Sequence, residues 1–179
     1  MRTVTANIRR ATTAGDVGLA RELFVEYVRW LKVDLCFQGI DHELATLPGA
    51  YAPPTGRLLL AGELQQAFGC IALRPFSSPR GVGVVASALG VVAATSSATL
   101  IGEVKRLYVQ PAKQGDGWAR RLAEAIIADA RSIGYTSLKL DTLAWMTGAR
   151  KLYAKLGFRE CAPYYDNPTP GVVYMVLEL

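Results

Sequence analysis

The most constraining part of the sequence is a strand, a glycine-rich turn and a helix in immediate succession. Residues 103–109 are interpreted as a strand, and Pro111 ends it. Glycines follow at positions 115 and 117, and an amphipathic pattern predicts a helix over residues 116–133. Backbone N–H groups of the turn and of the helix N-terminus then surround one position, with the positive end of the helix dipole behind them. This arrangement predicts a site that binds a phosphate group.

Helical and strand patterns alternate along the rest of the chain. Amphipathic spacing predicts further helices that begin at residue 16, cover residues 41–47, and run from residue 146 to the glycine at 157. An alternating run at residues 3–10 and further runs at residues 57–61, 68–73, 136–140 and 172–177 predict strands, and one or two short strands are predicted within residues 77–97. A polar turn containing Gly62 and Glu63 joins the second and third runs, which predicts an antiparallel hairpin. The patterns together predict an α/β (α+β) fold with a mixed sheet and helices on its faces.

The composition excludes several classes of protein. The chain has 179 residues, of which 51% are hydrophobic, and this length is typical of one domain with its own core. Its cysteines are an odd number without a C-x-x-C pair, so we expect neither a disulfide framework nor a metal site, and we expect a reducing, cytoplasmic compartment. The N-terminus lacks a signal-peptide pattern. The longest apolar run, residues 82–94, is too short to span a membrane, so no membrane partner is expected.

The basic charge favours a small anion over a polyanion. The formal net charge is +5 and the pI is near 9.2. A nucleic-acid-binding protein usually clusters its basic residues on one face, whereas the lysines and arginines here are scattered. The densest basic stretch, from Lys105 to Arg121, brackets the glycine-rich turn. We therefore expect no nucleic acid partner and a small anionic ligand at the turn.

Three ligand classes use a turn of this kind. A P-loop needs G-x-x-x-x-G-K-[ST], which is absent. A dinucleotide-binding fold needs a third glycine where Arg120 stands, although Asp141 after the next strand imitates the ribose-binding acid, so a nicotinamide-dinucleotide enzyme remains an alternative. A glycine-rich turn without any ligand also remains open. The third class of ligand is coenzyme A.

At this point the sequence resembles the GNAT superfamily of N-acetyltransferases. The superfamily signature Q/R-x-x-G-x-G/A is matched by Gln114, Gly117 and Ala119. A second pattern, A-x-x-L-Y-x-x-x-G-F, is matched downstream by Ala149, Leu152, Tyr153, Gly157 and Phe158. The residues 163–168 near the end also look like one bacterial-type branch of the superfamily. The resemblance covers nearly the whole chain as a single domain, residues 1–179, in which residues 77–101 look like an insertion relative to that branch.

The resemblance implies a mixed, mostly antiparallel sheet with helices on both faces, and acetyl-CoA as the acyl donor. The pantetheine arm would pair with the backbone of Leu107, Tyr108 and Val109, as a peptide extends an open strand edge. The pyrophosphate would bind at the turn and the first helical residues, namely Gln114, Gly115, Asp116, Gly117, Trp118, Ala119 and Arg120. The thioester would lie in the gap between the strand before the turn and the strand after it.

Direct acetyl transfer to an amine needs a base and an acid. The resemblance implies that Tyr153 is the general acid, although its spacing also fits a buried core position. Glu103 is our candidate base, and the competing interpretations are a surface pair with Lys105 or a base role for Asp141 instead. Many family members carry asparagine where Met146 stands, so a non-catalytic acyl-CoA-binding or sensor module remains the main alternative function.

The acceptor implied by the resemblance is a primary amine of a small molecule or peptide. The family builds this site from the first helices and the C-terminal loop. Aromatic residues there, which are the candidates for substrate binding, are Tyr27, Trp30, Phe37 and Tyr164. We expect a monomer or a homodimer.

Overall fold

The computed structural model describes residues 6–76 and 100–179, which form a seven-stranded sheet and four α-helices. The strands are β1 (Asn7–Arg10), β2 (Arg57–Glu63), β3 (Gln66–Pro75), β4 (Ile101–Val109), β5 (Ser137–Leu143), β6 (Arg159–Glu160) and β7 (Val172–Glu178). The α-helices are α1 (Ala14–Leu31), α2 (Ile40–Thr46), α3 (Trp118–Ile133) and α4 (Thr147–Lys155). The sequence does not predict the short strand β6. The predicted strand residues 3–5, the strands within 77–97 and most of the predicted insertion at 77–101 lie outside the described residues.

The sheet has the order β1-β2-β3-β4-β5-β7-β6, and its neighbours are antiparallel except for β4 and β5. The parallel pairing of β4 with β5 stops after Glu103 meets Lys139. The later residues of β4 do not pair with the later residues of β5, so the sheet opens between these two strands. This is the predicted gap between the two strands.

Helices cover both faces of the sheet, as predicted. Successive side chains of a strand point to opposite faces, and β2 divides its apolar residues accordingly. Leu59 belongs to the cluster that contains Leu122 and Ile126 of α3, whereas Leu60 belongs to the cluster that contains Phe24 of α1. The α/β class with a mixed, mostly antiparallel sheet is confirmed.

Local chemistry explains where the helices begin and end. Thr13 caps α1 in a capping box, in which its hydroxyl oxygen accepts from the Asp16 N–H and the Asp16 carboxylate accepts from the Thr13 N–H. Helix α3 begins at Trp118, two residues later than predicted, because Gly117 takes a left-handed conformation (φ +81°) as its N-cap. Gly134 ends the helix in the left-handed conformation that the sequence predicts (φ +99°).

The turn of the predicted hairpin is displaced along the chain. Strands β2 and β3 do pair antiparallel, but Gly62 and Glu63 lie within β2 rather than in the turn. Gly62 lies at a shift in register (φ +150°), and the turn is formed by the next two residues, of which Leu64 is 82% exposed. Gly62, which the sequence places in the turn, therefore lies in a β-bulge beside the turn.

Candidate active site

A cleft of about 800 Å³ opens where β4 and β5 part. One wall is the free edge of β4, and the other is formed by the end of β5 and the start of α4. The cleft reaches the glycine-rich turn in one direction and the C-terminal end of α1 in the other. Every residue that we predict to bind the donor lines this cleft except Asp116.

The turn before α3 has the geometry of an anion cradle. Gly115 (φ +89°) and Gly117 (φ +81°) are both left-handed, and a side chain added at either would meet no protein atom within 4 Å. No side chain caps the N-terminus of α3, so the helix's first N–H groups are not occupied by a capping residue. The Gln114 side chain donates from Nε2 to the Val109 carbonyl at 2.9 Å and so ties the turn to the end of β4. The space beside the glycines and the uncapped N–H groups fit a pyrophosphate.

The edge of β4 that faces the cleft is free to pair with a ligand. Leu107, Tyr108 and Val109 line the cleft, and β4 pairs with β3 only on its other side. A bulge lies at this point, since Arg106 and Leu107 together oppose the single residue Ile71, and Arg106 is left-handed (φ +59°). Unpaired strand edges of this kind accept an extended chain as an additional strand.

A buried ion pair holds the bulge. The Arg106 guanidinium donates to both carboxylate oxygens of Glu43 in α2, at 2.9 and 2.8 Å. Burial favours the neutral form of Glu43, but the hydrogen bond and the charge of Arg106 outweigh it, so the pKa of the carboxyl lies below its usual value. The pair therefore fixes α2 against the part of β4 at which the bulge lies.

Tyr153 of α4 is both a buried core residue and a residue that lines the cleft. Its side chain is buried, with 7% of the residue exposed, and its ring packs edge-on against Phe158. It nevertheless lines the cleft, and its hydroxyl has no hydrogen-bond partner among the described residues. Burial, helped by Tyr27 and Asp141, raises the pKa of the phenol above its usual value. The hydroxyl is therefore protonated at neutral pH and can donate to a group bound in the cleft.

Glu103 lies in a second cavity next to the cleft rather than in the cleft itself. This cavity has a volume of about 380 Å³. The Glu103 carboxylate accepts from Nε of Arg74 at 2.8 Å, and Nζ of Lys105 lies 3.6 Å from its other oxygen. The pair with Lys105, which the sequence suggested as a surface contact, is buried, with each side chain 5% exposed.

Asp141 of β5 lines the cleft directly. Its carboxylate lies 3.1 Å from Nζ of Lys105 and accepts from the side-chain amide of Asn167 at 3.4 Å. The structure thus places the two carboxylates considered as base on either side of one lysine. The roles of Tyr153, Glu103 and Asp141 remain predictions.

The aromatic residues predicted to bind the acceptor divide into three places. Tyr27 and Trp30 line the cleft, and Phe37 lines the second cavity. Tyr164 lines neither, and packs edge-on against Phe76 and Tyr174.

Sequence reasoning missed several residues that line these cavities. Trp145, which is 54% exposed, lies 5.8 Å from Trp30 between ring centroids and lines the cleft. Lys105 and Gln38 line both cavities. Trp145 follows the strand at 137–143 by two residues and precedes the motif residue Ala149 by four. This position is a signal that could have identified it.

Two further features concern the chemistry that the cleft can support. Met146 lines the cleft just before α4, where its sulfur is 3.8 Å from the hydroxyl of Thr142. Among residues 6–76 and 100–179 no group of three or more His, Cys, Asp or Glu side chains is placed to hold a metal ion.

No helix within the described ranges is both long and apolar enough to cross a membrane.

The fold and the cleft agree with a known family. The family model described as the Acetyltransferase (GNAT) family matches residues 24–158. The chain belongs to this family. An uncharacterised N-acetyltransferase of Schizosaccharomyces pombe is 37% identical over 165 residues, which are 92% of this chain and 89% of that protein. A second uncharacterised N-acetyltransferase, from Dictyostelium discoideum, is 28% identical over 88% of this chain and 92% of its own length. The GNAT protein described here is accordingly an acyltransferase of the N-acetyltransferase type.

Solved structures show the same fold. An acetyltransferase from Streptococcus agalactiae superposes with a TM-score of 0.70 at 16% identity and covers 97% of this chain and 98% of its own. A GNAT family acetyltransferase from Elizabethkingia anophelis, solved with acetyl-CoA bound, gives a TM-score of 0.60 at 22% identity over 97% of this chain and 98% of its own. The expected GNAT fold is confirmed.

Proposed function

We propose that this GNAT protein transfers the acetyl group of acetyl-CoA directly to a primary amine of a small molecule or peptide. The observation that carries the proposal is the hydroxyl of Tyr153, which has no partner among the described residues and lines the cleft that also contains the glycine cradle. The bound acetyl-CoA of the Elizabethkingia relative supports the choice of donor. The proposed reaction involves no nucleic acid.

Different residues along the cleft bind different parts of acetyl-CoA. The N–H groups at the start of α3 and Gly115 and Gly117 bind the pyrophosphate, and the free edge of β4 from Leu107 to Val109 binds the pantetheine. Binding of the pyrophosphate and of the pantetheine together holds the thioester beside Tyr153. The thioester supplies the activated acetyl group. Such positioning accounts for a large part of the rate of a two-substrate reaction.

Two protons move during the transfer. Glu103 accepts a proton from the attacking amine, directly or through a water molecule, and Tyr153 donates one to the departing sulfur. Burial keeps the phenol of Tyr153 protonated until it is needed, because the low-polarity surroundings disfavour its anion. Lys105 lies between Glu103 and Asp141, with its Nζ 3.6 Å from the first carboxylate and 3.1 Å from the second.

The experiment is an acetyl-transfer assay on the purified protein with acetyl-CoA and a panel of primary amines. We expect release of free thiol that depends on an amine, together with a product that carries one added acetyl group by mass spectrometry. Tyr153→Phe should release thiol far more slowly while still binding the donor. Coenzyme A binding without transfer to any amine would instead assign the chain as a non-catalytic acyl-CoA-binding module, and binding of NADH in preference to acetyl-CoA would favour the dinucleotide alternative.

A further inference from the structure

The second cavity offers a site for the acceptor, and its charges restrict what that acceptor is. It adjoins the cleft, since Gln38 and Lys105 line both. Its walls combine apolar and charged side chains, namely Phe37, Ala50, Pro75, Phe76 and Tyr165 together with Arg74, Glu103, Lys105 and Asp166. A volume of about 380 Å³ admits a molecule of the size of an amino acid rather than a folded protein surface.

The cavity contains both signs of charge. Glu103 and Asp166 suit an ammonium group, but Arg74 and Lys105 would repel a ligand that carries only positive charge. A neutral or purely cationic amine offers no anion to the Arg74 guanidinium beyond its contact with Glu103. A ligand with an ammonium and a carboxylate matches both sides.

Arg74 has the geometry to bind a second carboxylate. Its Nε and Nη2 both contact a single oxygen of Glu103, at 2.8 and 2.7 Å. A guanidinium has five N–H groups, so this contact leaves donors for another anion. The Arg74 side chain is 32% exposed whereas that of Glu103 is 5% exposed, so a ligand can approach the arginine from the cavity.

Gln38 supplies an acceptor for the amine at the point where the two cavities meet. Its side-chain Nε2 donates to the Tyr165 hydroxyl at 3.4 Å, but its Oε1 is buried without a hydrogen-bond partner among residues 6–76 and 100–179. A buried acceptor without a donor is costly. An amine N–H bound at this junction would satisfy it.

We propose that the acetyl acceptor is an amino acid, which binds in the second cavity with its carboxylate on Arg74 and its amine between Gln38 Oε1 and Glu103. This inference rests on the proposed function and names its substrate class. In the transfer, the amine nitrogen forms a bond to the acetyl carbonyl carbon and the bond from that carbon to sulfur breaks. The ammonium form of the amino acid first loses one proton to the solvent. On attack the amine nitrogen gives a second proton to Glu103 and Tyr153 gives one to sulfur, which yields an N-acetylated amino acid and coenzyme A; Glu103 then releases its proton and Tyr153 regains one through the solvent.

The test compares each amino acid with the amine that lacks its carboxylate. The pairs are L-phenylalanine with phenethylamine, L-leucine with 3-methylbutylamine, L-tryptophan with tryptamine, and 4-aminobutyrate with propylamine. Calorimetric titration into the protein saturated with coenzyme A measures binding without turnover. We expect at least one amino acid to bind about tenfold or more tightly than its partner amine, as a charge-assisted pair provides.

Substitutions at position 74 assign this preference to the arginine. Arg74→Gln should bring the two affinities of a pair to within about twofold, and Arg74→Lys should restore part of the difference, because it keeps the charge and loses the planar donors. Arg131→Gln, at an exposed position in the last turn of α3, is the control and should leave the preference unchanged. Thermal unfolding of each variant verifies that it is folded.

The outcomes separate this inference from the proposed function. Equal affinities within every pair, no binding by any of them, or a preference that survives Arg74→Gln would overturn the inference. Acetyl transfer to the decarboxylated amines with no preference for amino acids would leave the proposed function in place without the inference. Tight, Arg74-dependent binding of an amino acid that is never acetylated would support the amino-acid site in the second cavity, but it would contradict both the proposed function and the assignment of that amino acid as the acetyl acceptor.

Discussion

Lys105 and Asp141 form a largely buried ion pair, with 3.1 Å between Nζ and Oδ1, two residues beyond the point at which β4 and β5 cease to pair. The side chains are 5% and 14% exposed. Lys105 also lies 3.6 Å from Glu103, so one ammonium group separates the carboxylate in the second cavity from the carboxylate in the cleft. The arrangement gives the two acids different surroundings, and their substitution should have different effects.

Substitution of Glu103 should impair proton removal from the acceptor more than substitution of Asp141. Glu103→Gln keeps the shape and removes the base, so we expect kcat/KM for the acceptor to fall about 100-fold or more at neutral pH. The loss should diminish as the pH rises and more of the amine loses its proton in solution. Asp141→Asn provides the comparison, measured over the same pH range. A larger and pH-dependent loss in Asp141→Asn would assign the base to Asp141.

Tyr153→Phe should lower kcat about 100-fold or more, because a positioned general acid contributes this much, while the affinity for acetyl-CoA stays nearly unchanged. The raised pKa of the phenol has a second consequence. Deprotonation of Tyr153 should not reduce kcat of the wild-type enzyme at any pH below the ordinary tyrosine pKa of about 10. Steady-state rates and donor titrations measure both quantities. An unchanged kcat in the variant would remove Tyr153 from the chemistry.

Gly117→Val should weaken donor binding by filling the space beside the uncapped N–H groups. The substitution also strains the backbone, because φ is +81° at this glycine. Gly134→Val is a matched control at the other end of the same helix, since φ is +99° there and a side chain would also meet no protein atom within 4 Å. Both variants should lose stability of about 1 kcal/mol or more, whereas only Gly117→Val should lose affinity in a titration with acetyl-CoA. Equal affinities in the two variants would contradict the cradle.

Glu43→Gln should destabilise the fold, because it leaves the Arg106 guanidinium buried without its charged partner. The side chains of Arg106 and Glu43 are 3% and 9% exposed, and breaking such a pair costs about 3 to 5 kcal/mol in the free energy of unfolding. Glu160→Gln removes a partner from the exposed pair with Arg150 and should cost about 1 kcal/mol or less. Urea denaturation measures both. Equal losses would show that the buried pair contributes no more than a surface pair.

The same pair makes stability depend on pH in a defined direction. The pKa of Glu43 is lowered on folding, so its contribution is fully present above the unfolded carboxyl pKa of about 4.3 and is lost as the pH falls through the lower folded value. As the pH is lowered from 5 to the lowest pH at which both proteins still fold, the free energy of unfolding should therefore decrease more for the wild-type protein than for Glu43→Gln. Parallel pH curves for the two proteins would contradict this assignment.

The fold was predictable because its signals are local. The periodicity of α1 and α3, the glycine at 134 and the final strand all act within a few residues of chain, and the structure has them close to the predicted positions. The misplaced details involve glycines with two plausible roles. Gly62 serves a bulge instead of a turn, and Gly117 caps α3 rather than lying inside it.

The site was predictable only in part, because much of it depends on residues far apart in the chain. The cradle is a continuous segment and could be recognised as such. The contacts of Arg106 with Glu43, of Lys105 with Asp141 and of Gln38 with Tyr165 join residues that no short pattern relates. The second cavity is lined by residues from separate parts of the chain, so its charges could not be predicted from the sequence.

The central claim is that the cleft between β4 and β5 binds acetyl-CoA, and calorimetric titration of the purified protein tests it most directly. NADH titrated in parallel serves as the control for a dinucleotide site. We predict one acetyl-CoA per chain with micromolar affinity, loss of this affinity in Gly117→Val but not in Gly134→Val, and no binding of NADH. A folded protein that does not bind acetyl-CoA would show that the glycine-rich turn is only structural, and it would contradict the account.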